Sequence, residues 1–274
     1  MGALFGALAA VCIGGSDLFG RQIVNATTAL TAAATIQLWG VAAGLIIAIL
    51  GGGQLIAIDL AFGVVSGSGM AVGLAAYYGG VVRSSATIMA PITATLSTLL
   101  PYGYAAIRAE RPSALAFIGA LVAVVGLIIV TSGGESASRI RDGVMWGLTA
   151  GTAYGLAIAA LVEVSNDAGN WPAFSQRVSA FVITAAIAVA AGTKPIAPRS
   201  QVPNGFFAGI GVGLTALFLL LAVRADPTVA IVTSSIYPAV SVVIGRVFFG
   251  DFIRARQVPG IVAVLVGVIL VVVS

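Results

Sequence analysis

The chain has 274 residues with a formal net charge of +4; 59% of them are hydrophobic, 8% are charged, and the mean hydropathy is +1.12. So few charges cannot cover the surface of a soluble monomer, and the 35 glycines without turn-separated alternation do not read as an outer-membrane barrel. With no histidine and one cysteine, Cys12, there is no Ser-His dyad, His-ligated haem, His-containing zinc site or intramolecular disulfide, so an enzyme is the unfavoured reading and no cofactor or metal is expected.

Apolar runs of about 20 residues bounded by charge or proline predict ten membrane-spanning helices. They lie near 2–20, 28–50, 58–80, 84–107, 113–131, 143–163, 171–192, 203–223, 227–249 and 257–273. The first has no basic lead and closes on Asp17 and Arg21, so it reads as a span and not a cleaved signal. Its Gly2, Gly6, Ala10 and Gly14 form a small-residue stripe suited to close helix approach. Span two sets Gln37, Gly40 and Gly44 on one face and holds Trp39 mid-span, away from the interfaces where Trp usually sits. Span three spaces Ser66, Met70, Gly73 and Tyr77 at helical intervals, and span four has Thr93 and Ser97 between Pro91 and Pro101, prolines expected to bend it.

The connection 132–142 (SGGESASRIRD) has the Gly/Ser-rich composition of a boundary between halves, 1–131 and 143–274. Span six repeats the stripe as Gly143, Gly147, Gly151 and Gly155, adds Tyr154, and reaches Glu163 at its far end. Such a stripe also suits a homodimer. Span seven opens on Pro172 with Arg177 five residues later; span eight carries Gly205, Gly209 and Gly213; span nine holds Ser234, Tyr237, Pro238 and Ser241.

The two halves echo one another at a constant offset of 141. Gly2, Gly6 and Gly14 map onto Gly143, Gly147 and Gly155, Arg83 onto Arg224, Thr87 onto Thr228, Glu110 onto Asp251, and Gly119 and Gly126 onto Gly260 and Gly267. Five spans per copy turn the second copy over in the bilayer, the signature of an inverted-repeat transporter. Pro238, the acidic turn at Asp251 and the last span, Gly260 to Gly267, resemble the closing pattern of EamA-type members of the drug/metabolite transporter superfamily, with Glu110 as the acidic residue of the first half. Ser97 stands where the first half would carry the proline. Arg177 resembles a basic residue that such proteins often carry there, where the first half has Ile36 and Gln37. The resemblance implies an all-α integral membrane protein of ten helices in two inverted five-helix repeats, working by alternating access.

Ionisable groups deep in a bilayer point to function. Asp17, Glu163 and Arg177 are the candidates for a coupling or cavity charge; Gln37, Trp39, Met70, Tyr77, Thr93, Ser97, Tyr154, Ser234, Tyr237 and Ser241 are the candidates for a substrate cavity. Their hydroxyls and amides suit a neutral or zwitterionic solute with an apolar part, whereas a phosphorylated one would want several Arg or Lys residues. Alternate connections hold eight basic residues against three, which places both termini outside by the positive-inside rule, while the resemblance implies both inside. The expectation is a carrier of small organic solutes in the plasma or inner membrane, with export as its direction and lipid and solute as its partners, and no nucleic acid. A membrane scaffold or assembly partner is the alternative.

Overall fold

The computed structural model describes residues 1–109, 114–131, 137–225, 233–234, 237–250, 255 and 258–273, and among these every regular element is a helix. In chain order they are α1 (Gly2–Ala26), α2 (Ala29–Gly51), α3 (Ala57–Arg83), α4 (Ala86–Ala109), α5 (Ala114–Thr131), α6 (Ala137–Val162), α7 (Trp171–Ala190), α8 (Val202–Ala225, led in by a 3-10 turn at Arg199–Gln201), α9 (Tyr237–Phe249) and α10 (Val258–Val272). Six of them, α1, α2, α3, α6, α7 and α8 with its lead-in, are long and apolar enough to cross a membrane; the apolar stretches Ile92–Pro101 and Val258–Gly267 are shorter. Leu50, Val65, Val189 and Phe248 project outward, each more than half exposed, which costs nothing where the surroundings are hydrocarbon.

Local chemistry explains several boundaries. Thr28 caps α2, its hydroxyl accepting from Thr31 N–H at 3.1 Å, and Gly52 at φ 64° ends that helix. Pro172 opens α7, where its missing N–H costs nothing. Two boundaries differ from expectation. α1 continues to Ala26, beyond the expected span end near residue 20, so Asp17 is the sixteenth of its 25 residues. α6 begins at Ala137, so the second part of the expected linker is helical. A helix satisfies its own backbone and continues past the apolar run until a cap or turn stops it. Glu110, Thr228, Asp251 and the side chains of Thr87, Pro91, Pro238 and Ser241 lie outside the described residues.

Glycine sets the helix pairs. Gly143, Gly147, Gly151 and Gly155 lie against Ile88, Ile92, Thr93 and Leu100 of α4; a Cβ on Gly151 would fall 2.9 Å from Thr93 O and 3.1 Å from Thr93 Cα. This stripe is therefore filled within the chain, and a homodimer would have to use another surface. Gly2, Gly6 and Gly14 are buried, Gly14 against Val240 of α9. Further pairs join α1 to α8, α3 to α6 and α7, α2 to α7 and α8, and α5 to α10. In the last, Gly126 meets Val264 and Gly260, and Gly267 meets Ala123 and Gly119. Buried hydroxyls tie two of these pairs: Ser16 on α1 donates to Ala208 O of α8 at 3.1 Å, and Ser66 on α3 to Ala157 O of α6 at 2.7 Å.

Each end of α2 is covered by a different connection. At its C-terminal end Gln54 N–H donates to Asp167 O at 2.8 Å, and Ser165 donates from N–H and Oγ to the Asp59 carboxylate at 3.0 and 2.6 Å. Gly53 (φ 109°) and Gly169 (φ 57°) allow the two loops to touch backbone to backbone. At the N-terminal end Thr31 Oγ1 donates to Lys194 O at 2.7 Å, and Ala197 N–H donates to Thr35 Oγ1 at 2.9 Å.

Candidate solute-binding cavity

Between these two covered ends lies a cavity of about 130 Å³, walled by residues from α1, α2, α3, α4, α6, α7, α8 and α9. That is of the order of the ~150 Å³ that takes a benzene ring in an apolar protein core. Leu74, Ile158, Leu161, Val212, Ala216 and Leu219 make much of its wall apolar. The polar remainder is concentrated: Asp17 from α1, Gln37 from α2, Tyr77 and Tyr78 from α3, Ser97 from α4, Tyr154 from α6, Gln176 and Arg177 from α7, Thr215 from α8, with Ser234 and Tyr237 beyond it.

Arg177 is the centre of a buried hydrogen-bonded chain. Its Nη1 donates to Gln37 Oε1 at 3.1 Å and its Nη2 to Gln176 Oε1 at 2.6 Å; Gln176 Nε2 then donates to Ser66 Oγ at 2.7 Å, and Ser66 to Ala157 O. Arg177 is 4% exposed, and Gln37, Gln176 and Ser66 are as deeply buried. The arginine reaches Gln37 across two glycines. A Cβ on Gly44 would stand 3.3 Å from Arg177 Cγ and one on Gly40 3.4 Å from its Cδ, so the bare face of α2 is the bed for the arginine stem. A guanidinium out of water carries a desolvation cost of several kcal/mol, which the two amide oxygens offset in part. Among the described residues the buried Arg177 Nε has no hydrogen-bond partner, and the buried Tyr237 hydroxyl lies beside Ser97.

The structure thus brings together Asp17, Gln37, Met70, Tyr77, Ser97, Tyr154, Arg177, Ser234 and Tyr237. It sets apart three residues expected with them. Trp39 lies in the notch made by Gly205 and Gly209 of α8, edge-on to Phe206 with ring centroids 5.4 Å apart, because a large ring fills the space those glycines leave. Thr93 is fully buried under Gly151 of α6. Glu163, just past the end of α6, accepts a hydrogen bond from Tyr104 at 2.9 Å. Gln176, Tyr78 and Thr215 were not anticipated. Gln176 had a legible signal, an uncharged amide next to the one arginine in its span; Thr215 had none, since its polarity matters only once α8 faces the cavity.

Residues 141–273 match the EamA-like transporter family. Over that stretch the chain is similar to EamA-like transporters, and with the apolar helices this supports an integral multi-pass membrane protein. The match begins within α6 and runs through α10, so it contains Tyr154, Gln176, Arg177, Thr215 and Tyr237. A solved crystal structure of a protein is similar over 98% of this chain and 95% of its own, with a TM-score of 0.69 and 14% identity, a likeness of fold alone. No curated protein matches. Within the cavity the EamA-like half and the first half supply repeat-related positions of opposite polarity: Ile13 and Tyr154, Asp17 and Ile158, Leu74 and Thr215, Tyr78 and Leu219 all face it.

Proposed function

We propose that the chain is a ten-span carrier of two inverted five-helix repeats that moves a small neutral or zwitterionic organic solute with an apolar part across the plasma or inner membrane by alternating access. The observation that carries this reading is the cavity at the junction of the halves, where an apolar wall is interrupted by one acid, Asp17, one base, Arg177, and a few hydroxyls and amides. Binding sites of carriers lie near the bilayer midplane between repeats, and a mainly apolar pocket with a few placed polar groups is the usual form of a small-molecule site.

Helix directions support ten crossings. Residue contacts make α1 and α8, α2 and α7, α3 and α6, and α5 and α10 antiparallel, and α4 and α6, α1 and α9, α2 and α8, and α3 and α7 parallel. Exchanging each helix for its mate five places along converts this set of pairs into itself. Repeat-related loops, 52–56 and 193–197, cover opposite ends of α2. Loosening one while the other holds would open the cavity to one side at a time.

Purified protein in liposomes should move at least one member of a broad metabolite panel, and cells overexpressing it should show a changed export or uptake profile. If no solute moves and both profiles stay unchanged, the carrier reading is wrong.

A further inference from the structure

We infer that the solute carries a carboxylate on an apolar body and that this carboxylate docks on Arg177, the base of the cavity wall. The inference rests on the carrier reading and names the solute class for that same cavity, extending it from zwitterions to simple carboxylates. A guanidinium offers five donors in a planar fork, and its Nε edge matches a planar carboxylate. In this chain both nitrogens that are satisfied face neutral amide oxygens, Gln37 on one side and Gln176 on the other, and the buried Nε–H has no partner among the described residues. Both hydrogen bonds that hold Arg177 thus end on amide dipoles and not on a carboxylate. Such an arrangement holds a guanidinium in one orientation without neutralising it, and an incoming anion gains the attraction that the protein has not already used.

Three further features fix the class. Tyr237 and Ser97 stand together in the same wall, two hydroxyls available to another acceptor of the solute. The cavity contains one arginine and no lysine, which suits a single negative charge and not a phosphate dianion. The rest of the wall is mainly apolar, the setting for a hydrocarbon or aromatic body. Asp17 stands in the wall as well, so an amino group on the solute is accommodated, but the carboxylate is the required part.

The test uses the full chain in liposomes, with protein-free vesicles as background, and two matched series as probes: leucine, leucinamide and 4-methylpentanoate; phenylalanine, phenylalaninamide and 3-phenylpropionate. The acids should move above background and the amides should not. Arg177→Gln should lower movement of the acids by roughly ten- to a hundred-fold, the range for a hydrogen bond to a charged group. Arg177→Lys, which keeps the charge, should retain the preference for acids at a reduced rate, and this guards against Arg177→Gln simply failing to fold. Equal movement of amides and acids, or wild-type movement of acids by a folded Arg177→Gln variant, overturns the inference. If the broad panel moves solutes none of which has a carboxylate, the inference fails while the carrier reading stands; if nothing in either panel moves, both fall.

Discussion

Arg177 on α7 donates from Nη1 to Gln37 Oε1 on α2 at 3.1 Å, one position away from Ile36, its own repeat mate. The partner of the cavity's base is thus supplied by the other half of the chain, at a site where the repeat is broken. Removing that acceptor leaves a buried cation short of a bond. Gln37→Leu is expected to cost about 1–3 kcal/mol of stability, read as a lower unfolding temperature in detergent. Gln37→Glu should be folded and at least as stable, yet transport-deficient, because a carboxylate beside Arg177 neutralises it from within. A Gln37→Glu protein that transports normally would remove Arg177 from the solute site.

The bed for the arginine stem gives a graded test. Gly44 lies 3.3 Å, measured from a Cβ placed there, from Arg177 Cγ and 3.6 Å from Phe174 Cα. A methyl can be taken up by a small shift of a flexible side chain, so Gly44→Ala should stay within about threefold of wild-type transport. Gly44→Leu has nowhere to go except into the stem and should reduce transport roughly tenfold or more, with the protein still in the membrane. Equal rates for the two variants would mean that the stem does not lie where α2 is bare.

Close packing of α6 on α4 is a structural device and should fail as one. Gly151→Leu would drive a side chain into the Thr93 backbone and should cost about 1–3 kcal/mol or more, seen as loss of the monodisperse peak in size-exclusion chromatography and of surface expression. Tyr237→Phe, by contrast, should leave folding intact and lower transport alone. A scaffold without transport would show the reverse ranking in any assay of cellular activity, with Tyr237→Phe silent and the glycine stripe decisive.

The loop contact at the C-terminal end of α2 predicts a switchable block. Gln54 N–H and Asp167 O are bonded at 2.8 Å, so cysteines at these positions in a Cys12→Ser background are near enough to cross-link. Cross-linked Gln54→Cys/Asp167→Cys protein in liposomes should stop net transport, and reduction should restore it. Undiminished transport by the cross-linked form would show that this seal need not open.

Asp17 is the acid in the cavity wall and the carrier's candidate coupling group. Asp17→Asn should abolish accumulation driven by an imposed proton gradient while solute exchange across the membrane continues. Loss of both together would make Asp17 part of the binding site and not of the coupling.

Much of the architecture was legible because membrane helices obey simple constraints. Length and apolarity marked the long apolar helices, and Gly2, Gly6 and Gly14 share their spacing with Gly143, Gly147 and Gly155 at an offset of 141. The helix ends were less legible: Ala26 and Ala137 lie beyond the apolar runs, because backbone hydrogen bonding carries a helix past the residues that need lipid. The place of Trp39 is illegible in the sequence for a related reason. A large aromatic in mid-span has two homes, a cavity or a glycine notch on a neighbour, and Gly205 and Gly209 belong to a helix 166 positions away in the case of Gly205.

The sequence by itself determined that this chain lives in lipid and that it is helical, since composition and hydropathy are properties of residues in order. Tertiary structure decided which polar residues share a space. Asp17 and Ile158, and Ile13 and Tyr154, stand 141 positions apart, and both members of each pair reach the cavity although one is polar and the other apolar. That Arg177 would lie over Gly40 and Gly44, be held by Gln37 and Gln176, and keep Nε unspent depends on three helices meeting at one depth, and proximity between helices far apart in the chain is not written in any one of them.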